Sequence, residues 1–221
     1  MGTTRTEMPH LSLRTCGLDE AGRGPFAGPL VAAAVVFPPG FRFSDVFPAL
    51  KLRDSKTLSA LQRENLIAYI YEYAERVAIE SIPVEDINSL GLGWANRTVF
   101  ERLIMAVDAD RYIVDGNLKL QNLGRRRTRV RSVVRADQTE QAVSAASIVA
   151  KVTRDRLMDG LHAEFPVYGW DHNRGYGTPA HIAALREFGP CIHHRRKFVS
   201  TALGKFAAQL PGFDEEDTDG R

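Results

Sequence analysis

The feature that most constrains the fold is a pair of apolar segments near the start of the chain, joined by a short connection rich in glycine and proline. The segments are "LRTCGLDE" (13–20) and "PLVAAAVVF" (29–37), and "AGRGPFAG" lies between them. Apolar runs of this length bounded by Gly and Pro are typical of buried strands. The sequence therefore predicts two strands at the start of the fold. It also places two adjacent acids, Asp19 and Glu20, at the end of the first strand and at the edge of the core.

Strand-like and helical patterns alternate along the rest of the chain. Residues 76–84 and 111–116 read as strands, whereas residues 59–76, 91–107 and 137–165 have the apolar spacing of helices. The segment "RTRVRSVV" (127–134) alternates as a further strand would. This order predicts an α/β architecture, and the initial pair of strands makes its sheet mixed.

Two of the predicted helices carry start signals. Ser59 and Gln62 match a capping box, and Asp137 with Glu140 fits an N-cap and its partner three residues on. Small residues then form one face of the second helix, which would let it lie close to a sheet. The apolar stripe of the first helix would consist of Leu61, Leu66, Ile70 and Ala74.

Composition sets the broad class. The chain has 221 residues, 44% hydrophobic and 25% charged, which fits one domain or one domain with a small appendage. Cys16 and Cys191 are far apart and form no CxxC pair, which favours a reducing compartment. No apolar run approaches the ~20 residues of a membrane span, and the N-terminus lacks the apolar region of a signal peptide. We therefore expect a cytoplasmic protein with no membrane contact.

The net charge of +2 hides an uneven distribution. The last eight residues carry five acids and one Arg, and we expect this tail to be disordered. Residues 119–135 instead carry seven basic residues and no acid. Such a stretch is typical of a surface that binds a polyanion, although a solvated loop and edge strand would also explain it.

Three predicted strands end in acids: Asp19 with Glu20, Asp115, and Asp137. Functional groups of open α/β sheets gather where strands end, so neighbouring strands would bring four carboxylates together. Buried carboxylates without partners take up protons, whereas a shared divalent cation accepts several oxygen ligands. Two such ions ~4 Å apart can hold the attacking and leaving oxygens of a phosphodiester.

Each acid also has a simpler interpretation. Asp137 alone reads better as a helix cap, and Asp115 before Gly116 reads better as a turn residue. Asp19 and Glu20 could pair with a nearby cation, namely Arg14, Arg23 or Lys56. The joint occurrence favours a metal site, and it depends on the order of the strands. Gly22-Arg23-Gly24 is either a tight turn or a loop that brings backbone N–H groups close to a ligand.

The segment "GLDEAGRGPFAGPLVAAAVV" (17–36) closely resembles the N-terminal signature of ribonuclease HII, the type 2 ribonuclease H family. The resemblance covers about residues 14–200. It continues in order through "RDSKTLS", "YIVDGN", "SAASIVAKVTRDRLM", "GYGTPAH" and "HRRKF".

This resemblance implies a ribonuclease H-like fold, with a central mixed β-sheet flanked by helices and a helical C-terminal extension. It implies an endoribonuclease that hydrolyses the RNA strand of RNA–DNA hybrids and cuts 5′ of ribonucleotides embedded in duplex DNA, leaving 3′-hydroxyl and 5′-phosphate ends. Its roles would be ribonucleotide removal from DNA and RNA primer removal. The catalytic metal ligands, for two Mg²⁺ or Mn²⁺ ions, would be Asp19, Glu20, Asp115 and Asp137, with Asp19 bridging.

The resemblance also implies substrate contacts. The Gly22-Arg23-Gly24 loop would sense the 2′-hydroxyl, which distinguishes RNA from DNA. Tyr176 would pack on the sugar of the following nucleotide. The residues placed for phosphate contacts are Lys56, Lys151 and Arg154.

We expect a monomer with four regions. These are an N-terminal extension (1–13), a ribonuclease H-like catalytic core (14–165), a helical substrate-contacting region (166–210) and an acidic disordered tail (211–221).

The sequence departs from the family pattern in three places. Arg135-Ala136 replaces the usual Lys-Gly before the fourth carboxylate, and Asn173-Arg174 replaces His-Lys before Gly-Tyr-Gly. The stretch "NSLGLGWANRTVF" (88–100) also differs from the usual helix start. None of these changes a predicted metal ligand.

Two rival hypotheses remain at this stage. An integrase- or resolvase-type nuclease would share the carboxylates but would not need Gly-Arg-Gly and Tyr176. A non-catalytic hybrid-binding protein would explain residues 119–135 but would leave the four acids without a purpose.

Overall fold

A single mixed sheet forms the centre of the molecule. The structure, a computed structural model, describes residues 13–46 and 58–204. The five strands are β1 (Thr15–Ala21), β2 (Leu30–Val36), β3 (Arg76–Ile82), β4 (Arg111–Asp115) and β5 (Val130–Val133). Their order is β3-β2-β1-β4-β5, in which β1, β2 and β3 pair antiparallel and β1, β4 and β5 pair parallel. The mixed sheet predicted from the initial strand pair is confirmed.

Helices cover both faces of this sheet and continue into the C-terminal part of the chain. They are α1 (Phe43–Val46), α2 (Ala60–Tyr73), α3 (Val84–Leu90), α4 (Leu92–Ala106), α5 (Gln141–Glu164), α6 (Trp170–Asn173), α7 (Pro179–Phe188) and α8 (Arg196–Leu203). The predicted helices at 59–76 and 91–107 are therefore confirmed as α2 and α4. Ser59 caps α2 with the predicted capping box to Gln62.

The core has two layers because β2 is buried on both faces. Ala32 and Ala34 pack toward α4, whereas Ala33 and Val35 pack toward α2 and α5. The small-residue face of α5 brings that helix against the sheet. A Cβ atom added at Gly17 in β1 would lie only 2.2 Å from the backbone of α5. The central helix is thus fixed against the strand that carries the first two acids.

A separate apolar cluster joins the C-terminal helices to the connection between β1 and β2. Its buried members include Trp170, Leu185 and Val199, and Ala27 packs among them. This cluster carries the region after α5 up to the loop of residues 22–29, which we call the β1–β2 loop. The predicted helical extension is confirmed in residues 166–204.

Three details of the sequence-based prediction are wrong. Leu61 is 71% exposed, because the buried face of α2 is made by Leu66, Ile67 and Ile70. Residues 124–129 form a 3₁₀ helix, so β5 spans only Val130–Val133. Asp137 does not cap α5, as described below.

Some predictions concern residues outside the described ranges or boundaries that nothing here tests. Lys56, residues 1–12 and the acidic tail lie outside the described ranges, and the boundaries of the four regions stay predictions. Among the helices of residues 13–46 and 58–204, none combines the length and hydropathy required to cross a membrane.

Candidate active site

The first and third acids lie side by side because their strands are parallel neighbours. Leu18 of β1 pairs with Val114 of β4, so Asp19 and Asp115 follow directly at the same end of the two strands. Glu20 is the next residue of β1, and its backbone N–H donates to Oδ1 of Asp19 at 2.8 Å. The strand order thus supplies the condition on which the joint interpretation of these acids depended.

The chain continues from β5 directly into the fourth acid. Arg135 has a left-handed backbone (φ 58°), after which a 3₁₀ helix spans Ala136–Gln138. The N–H of Ala136 donates to Oδ1 of Asp115 at 2.7 Å. Asp137, 3% exposed, is therefore adjacent in sequence to the residue that contacts Asp115.

Asp137 is not the cap of α5, contrary to the simpler interpretation of this residue. The helix begins at Gln141 with Glu140 at its N-cap position, and Glu140 makes no side-chain capping bond. The hydroxyl of Ser144 donates to the backbone carbonyl of Asp137. The turn before α5 is thus held by its backbone, and the carboxylate of Asp137 is not needed as a cap.

Burial and mutual repulsion leave the acids of β1 poorly stabilised as anions. Asp19 is 5% exposed, and burial, followed by the charge of Glu20, raises its pKa to about 7 against a hydrogen bond from Ser147. Burial also raises the pKa of Glu20, opposed by Arg23. Asp115 adds to both shifts. A compensating positive charge is what this cluster lacks.

The donor set fits a hard divalent cation. Oε1 of Glu20 accepts from Nη1 of Arg23 at 3.3 Å, but Oε2 is buried and has no hydrogen-bond partner within the described residues. Carboxylate oxygens are the ligands that Mg²⁺ and Mn²⁺ prefer. Within residues 13–46 and 58–204, no three acidic, His or Cys side chains are already arranged as a closed metal cage. The acids therefore form an open, oxygen-only group.

A cavity of about 410 Å³ opens beside Glu20. One wall is the start of the β1–β2 loop, and the opposite wall comes from α2, α5 and the segment before α7. The residues that line it are Glu20, Ala21, Gly22, Arg23, Gly24, Arg63, Ser147, Lys151, Arg154 and Tyr176. Most of the substrate-binding residues predicted from the sequence thus share one cavity with a predicted metal ligand.

The β1–β2 loop cannot accept a side chain at its first position. Gly22 has φ +99°, and a Cβ atom there would lie 2.2 Å from Nε of Arg154 and 2.8 Å from the carbonyl oxygen of Pro29. At Gly24 an added Cβ would meet only Tyr176, at 3.6 Å. Of the two glycines, Gly22 is the one that the backbone and the packing require.

Two buried arginines hold this loop by its carbonyl groups. Arg154 donates to the carbonyls of Ala27 and Pro29 and to that of Arg174, at 3.0–3.1 Å. Arg195 donates to those of Arg23 and Gly28 at 2.7–3.1 Å. Each arginine is 1% exposed, and burial lowers the pKa of Arg154 to about 10 and that of Arg195 to about 9.

These contacts bear on the predicted role of Arg154. It lines the cavity, but each of its three guanidinium nitrogens already donates to a backbone carbonyl. Its contact with a phosphate stays a prediction, whereas its contact with the loop is observed. Lys151 also lines the cavity and pairs with Asp155 at 2.7 Å.

Tyr176 is fixed through its backbone while its side chain stays 47% exposed. Nε1 of Trp170 donates to Nε2 of His181 at 3.2 Å, so the other ring nitrogen of His181 carries the proton and donates to the carbonyl of Tyr176 at 2.9 Å. Nε2 of His194 lies 3.1 Å from Nε2 of His181. Burial lowers the pKa of both rings, that of His194 to about 3, which keeps the network neutral.

The departure at Asn173-Arg174 has a structural role in the same segment. The Asn173 side chain donates to the carbonyl of Tyr168 at 2.6 Å and accepts from the N–H of Gly175 at 2.8 Å. Arg174 takes a left-handed conformation (φ 51°) and pairs with Asp159. These contacts shape the turn that leads to Tyr176.

Sequence reasoning missed two cavity residues, Arg63 and Ser147, and the loop-holding residue Arg195. Ser147 lies on the small-residue face of α5, which read only as a packing surface. Arg195 belongs to "HRRKF", which carried the family resemblance but had no assigned role. No sequence pattern marked its burial, because a pair of adjacent arginines normally reads as solvated surface.

Comparison with known proteins agrees with this geometry. The family model of ribonuclease HII matches residues 16–201. The chain belongs to the ribonuclease HII family. Members of this family are endonucleases that act on RNA–DNA hybrids, so the chain is a nuclease of the hydrolase class.

Individual relatives extend the match over most of the chain. Ribonuclease HII of Burkholderia mallei (strain SAVP1) is 47% identical over 186 residues, which is 83% of this chain and 82% of that protein. Ribonuclease HII of Burkholderia thailandensis is 46% identical over the same shares. The chain therefore aligns with nearly whole relatives rather than with a fragment of them.

Solved structures share the fold. Ribonuclease HII of Archaeoglobus fulgidus, solved in a complex with PCNA, has a TM-score of 0.70 and 27% identity, covering 83% of this chain and 94% of that one. Ribonuclease H2 of Pyrococcus horikoshii OT3 has a TM-score of 0.72 and 23% identity, covering 87% and 98%. A Bst-RNase HIII structure in complex with Mn²⁺ has a TM-score of 0.66 and 21% identity, covering 95% and 76–77% of the chains compared. The predicted ribonuclease H-like fold is confirmed.

Proposed function

We propose that this protein is a divalent-metal-dependent endonuclease that cuts duplex DNA on the 5′ side of an embedded ribonucleotide, in addition to the RNA strand of hybrids. The products would be 3′-hydroxyl and 5′-phosphate ends. The observation that carries the proposal is the shared cavity. Glu20 of the acidic cluster and the Gly22-Arg23-Gly24 loop line the same space, so a group that reads the ribose lies beside a group that can direct the cut.

The metal ligands in this proposal are Asp19, Glu20, Asp115 and Asp137. The support is the raised pKa of Asp19, the buried Oε2 of Glu20 without a partner in the described residues, and the all-oxygen donor set. A solved structure of the same fold, Bst-RNase HIII, was determined with Mn²⁺. When bound, divalent ions activate the attacking water and offset the charge that develops on the phosphate.

The protein's own residues would place the substrate against these acids. Backbone groups of the Gly22-Arg23-Gly24 loop would contact the 2′-hydroxyl, since a nearby side chain at Gly22 is excluded by packing. The exposed ring of Tyr176 would lie on the sugar of the next nucleotide. Lys151, beside them in the cavity, would contact a phosphate.

The outer surface would hold the duplex through its phosphates. Arg125, Arg127 and Arg131 are exposed along the 3₁₀ helix and β5, at the edge of the sheet next to β4. We further infer that the protein acts as a monomer in the cytoplasm, in ribonucleotide removal and primer removal.

The test uses a DNA duplex that contains one ribonucleotide, incubated with Mg²⁺, with Mn²⁺ or with EDTA. We expect one metal-dependent cut, 5′ of the ribonucleotide, and end mapping should give a 3′-hydroxyl and a 5′-phosphate. Asp115→Asn should lower the cleavage rate at least about 10³-fold, because a catalytic charge site is lost. Equal cutting of an all-DNA duplex would contradict the specificity.

A matched variant separates the site from the general effect of removing an acid. The side chain of Asp108 is 76% exposed and lies near Arg126, away from the cavity. Asp108→Asn should cut like the unaltered protein. Undiminished cutting by Asp115→Asn would remove the metal assignment while leaving the family membership in place.

A further inference from the structure

Arg195 carries a buried charge that is used entirely on one loop. It is 1% exposed and forms no ion pair within the described parts of the chain. Nε and Nη2 both donate to the carbonyl of Gly28, at 3.0 and 2.7 Å, and Nη1 donates to the carbonyl of Arg23 at 3.1 Å. One guanidinium thus joins two points of the β1–β2 loop that are five residues apart. A lysine ammonium, a single point donor, could not reproduce this fork.

The contact with Arg23 determines where the next amide points. The carbonyl of Arg23 and the N–H of Gly24 belong to one peptide unit, which is trans, so they point in opposite directions. Because the carbonyl faces the buried Arg195, the N–H of Gly24 faces the other way. Gly24 is exposed and lines the cavity next to Tyr176.

This amide is available to a ligand. Within residues 13–46 and 58–204, no backbone or side-chain acceptor takes the N–H of Gly24. The backbone around it is held, because Phe26 receives the N–H of Arg195 and Gly28 donates to His193. A donor that is fixed before binding loses little conformational entropy when a ligand accepts its hydrogen bond.

We propose that Arg195 is a positioning residue that holds the Gly24 N–H toward the cavity, where it donates to the 2′-hydroxyl oxygen of a ribonucleotide. The inference rests on the proposed function, because it specifies how the loop would read the ribose. Arg195 itself touches no substrate. It acts through the orientation of one peptide unit.

The test is Arg195→Lys, which keeps the charge and removes the fork. Two constants are measured with Mg²⁺: kcat/KM on the single-ribonucleotide duplex, and Ki of the matched all-DNA duplex as a competitive inhibitor. We expect kcat/KM to fall about 100-fold, as a misplaced group of this kind can cause. The Ki should stay within about twofold, because a DNA duplex offers no 2′-hydroxyl to the amide. A merely structural role would move both constants together.

Arg126→Lys is the matched control, because Arg126 also donates to backbone carbonyls, those of Ile104 and Val107, but lies outside the cavity. It should leave the ratio of the two constants unchanged. If the unaltered protein does not cut the ribonucleotide duplex, the proposed function fails. If it does and Arg195→Lys cuts equally well, or loses both constants by one factor, only the role of Arg195 is overturned.

A second pair of variants decides the matter if Arg195→Lys does not fold. Gly24→Pro removes the N–H itself at an exposed position, and Gly24→Ala retains it with a Cβ in ordinary contact with Tyr176. We expect the proline variant to lose at least about tenfold more kcat/KM than the alanine variant, as for a lost hydrogen bond in a preorganised site. Equal kcat/KM values would overturn the proposal. Where all variants fold, Arg195→Lys should add little to Gly24→Pro, because the two changes remove the same contact.

Discussion

Two buried charged groups lie on either side of the β1–β2 loop, and they are satisfied in opposite ways. On one side, Asp19 and Glu20 repel each other, and Oε2 of Glu20 has no partner among the described residues. On the other side, Arg154 and Arg195 donate only to backbone carbonyls of this loop and of Arg174. Neither arginine is paired with these acids within the described residues, although the charges have opposite signs.

The difference separates a structural use of charge from a functional one. A guanidinium presents several N–H groups in a plane and can be matched by carbonyl oxygens, which lowers the cost of its burial. A carboxylate in a pocket of carboxylates has no such match from the protein. We infer that the arginines shape the loop, whereas the acids are left open to ligands.

The largest expected effect comes from disturbing the boundary between the two groups. In Gly22→Ala the new Cβ would lie 2.2 Å from Nε of Arg154, and the backbone at φ +99° disfavours any side chain. The loop must move away from the acids, so kcat/KM on the single-ribonucleotide duplex should fall about 10²-fold. Cleavage is measured per folded protein, with folding followed by thermal melting.

Gly91→Ala separates crowding from backbone strain. Gly91 has φ +83°, but an added Cβ would meet nothing within 4 Å. This variant should lose about 1 kcal/mol of stability and should cleave normally. If both variants cleave alike, the loop tolerates displacement and its position does not matter for the reaction.

The sequence predicted the fold well because the relevant signals are local. The buried run of β2, the capping box at Ser59 and the small face of α5 each specify their own element. Leu61 was misassigned because its apolar character is not decisive at the end of a helix, where only the packing partner determines which face is buried. The short β5 was overextended because alternation in residues 127–134 does not reveal the preceding 3₁₀ helix.

The site was predictable in its acids and not in its support. Acids at strand ends are visible in the sequence, and the parallel pairing of β1 with β4 brings Asp19 beside Asp115. Arg195 is 172 residues from Arg23, whose carbonyl it holds. A contact of that kind depends on the tertiary fold of the C-terminal helices and has no local signal.

The second prediction tests the unsatisfied side of the comparison. The pKa of Asp19 is raised from its ordinary value to about 7, so the metal-free folded protein binds this proton more tightly than the unfolded chain. Its stability contribution is present at pH 4 and is lost as the pH rises through 7. Asp19→Asn should therefore raise the free energy of unfolding in EDTA at pH 8 by on the order of 3 kcal/mol. At pH 4 the two proteins should be nearly equal in urea denaturation.

The control is again Asp108→Asn, whose exposed side chain should give no such gain at pH 8. Addition of Mg²⁺ should stabilise the unaltered protein more than Asp19→Asn, because only the former retains the full ligand set. An Asp19→Asn variant that is less stable than the unaltered protein at pH 8 would show that the acids are already well satisfied.

The smallest expected effect concerns the exposed arginines, which differ from the buried pair in being free to meet phosphates. Arg127 is exposed in the 3₁₀ helix before β5, whereas Arg76 is exposed on β3, at the opposite edge of the sheet. Arg127→Ala should make the slope of log Kd against log salt shallower by about 0.9, because one phosphate contact fewer releases counterions. Arg76→Ala should leave the slope unchanged. Binding is measured in EDTA on the single-ribonucleotide duplex between 50 and 200 mM salt, a range over which the Arg127 contact should be worth about 3.5-fold in affinity. Equal slopes for the two variants would move the duplex away from the β5 edge, and the cavity alone would then have to hold the substrate.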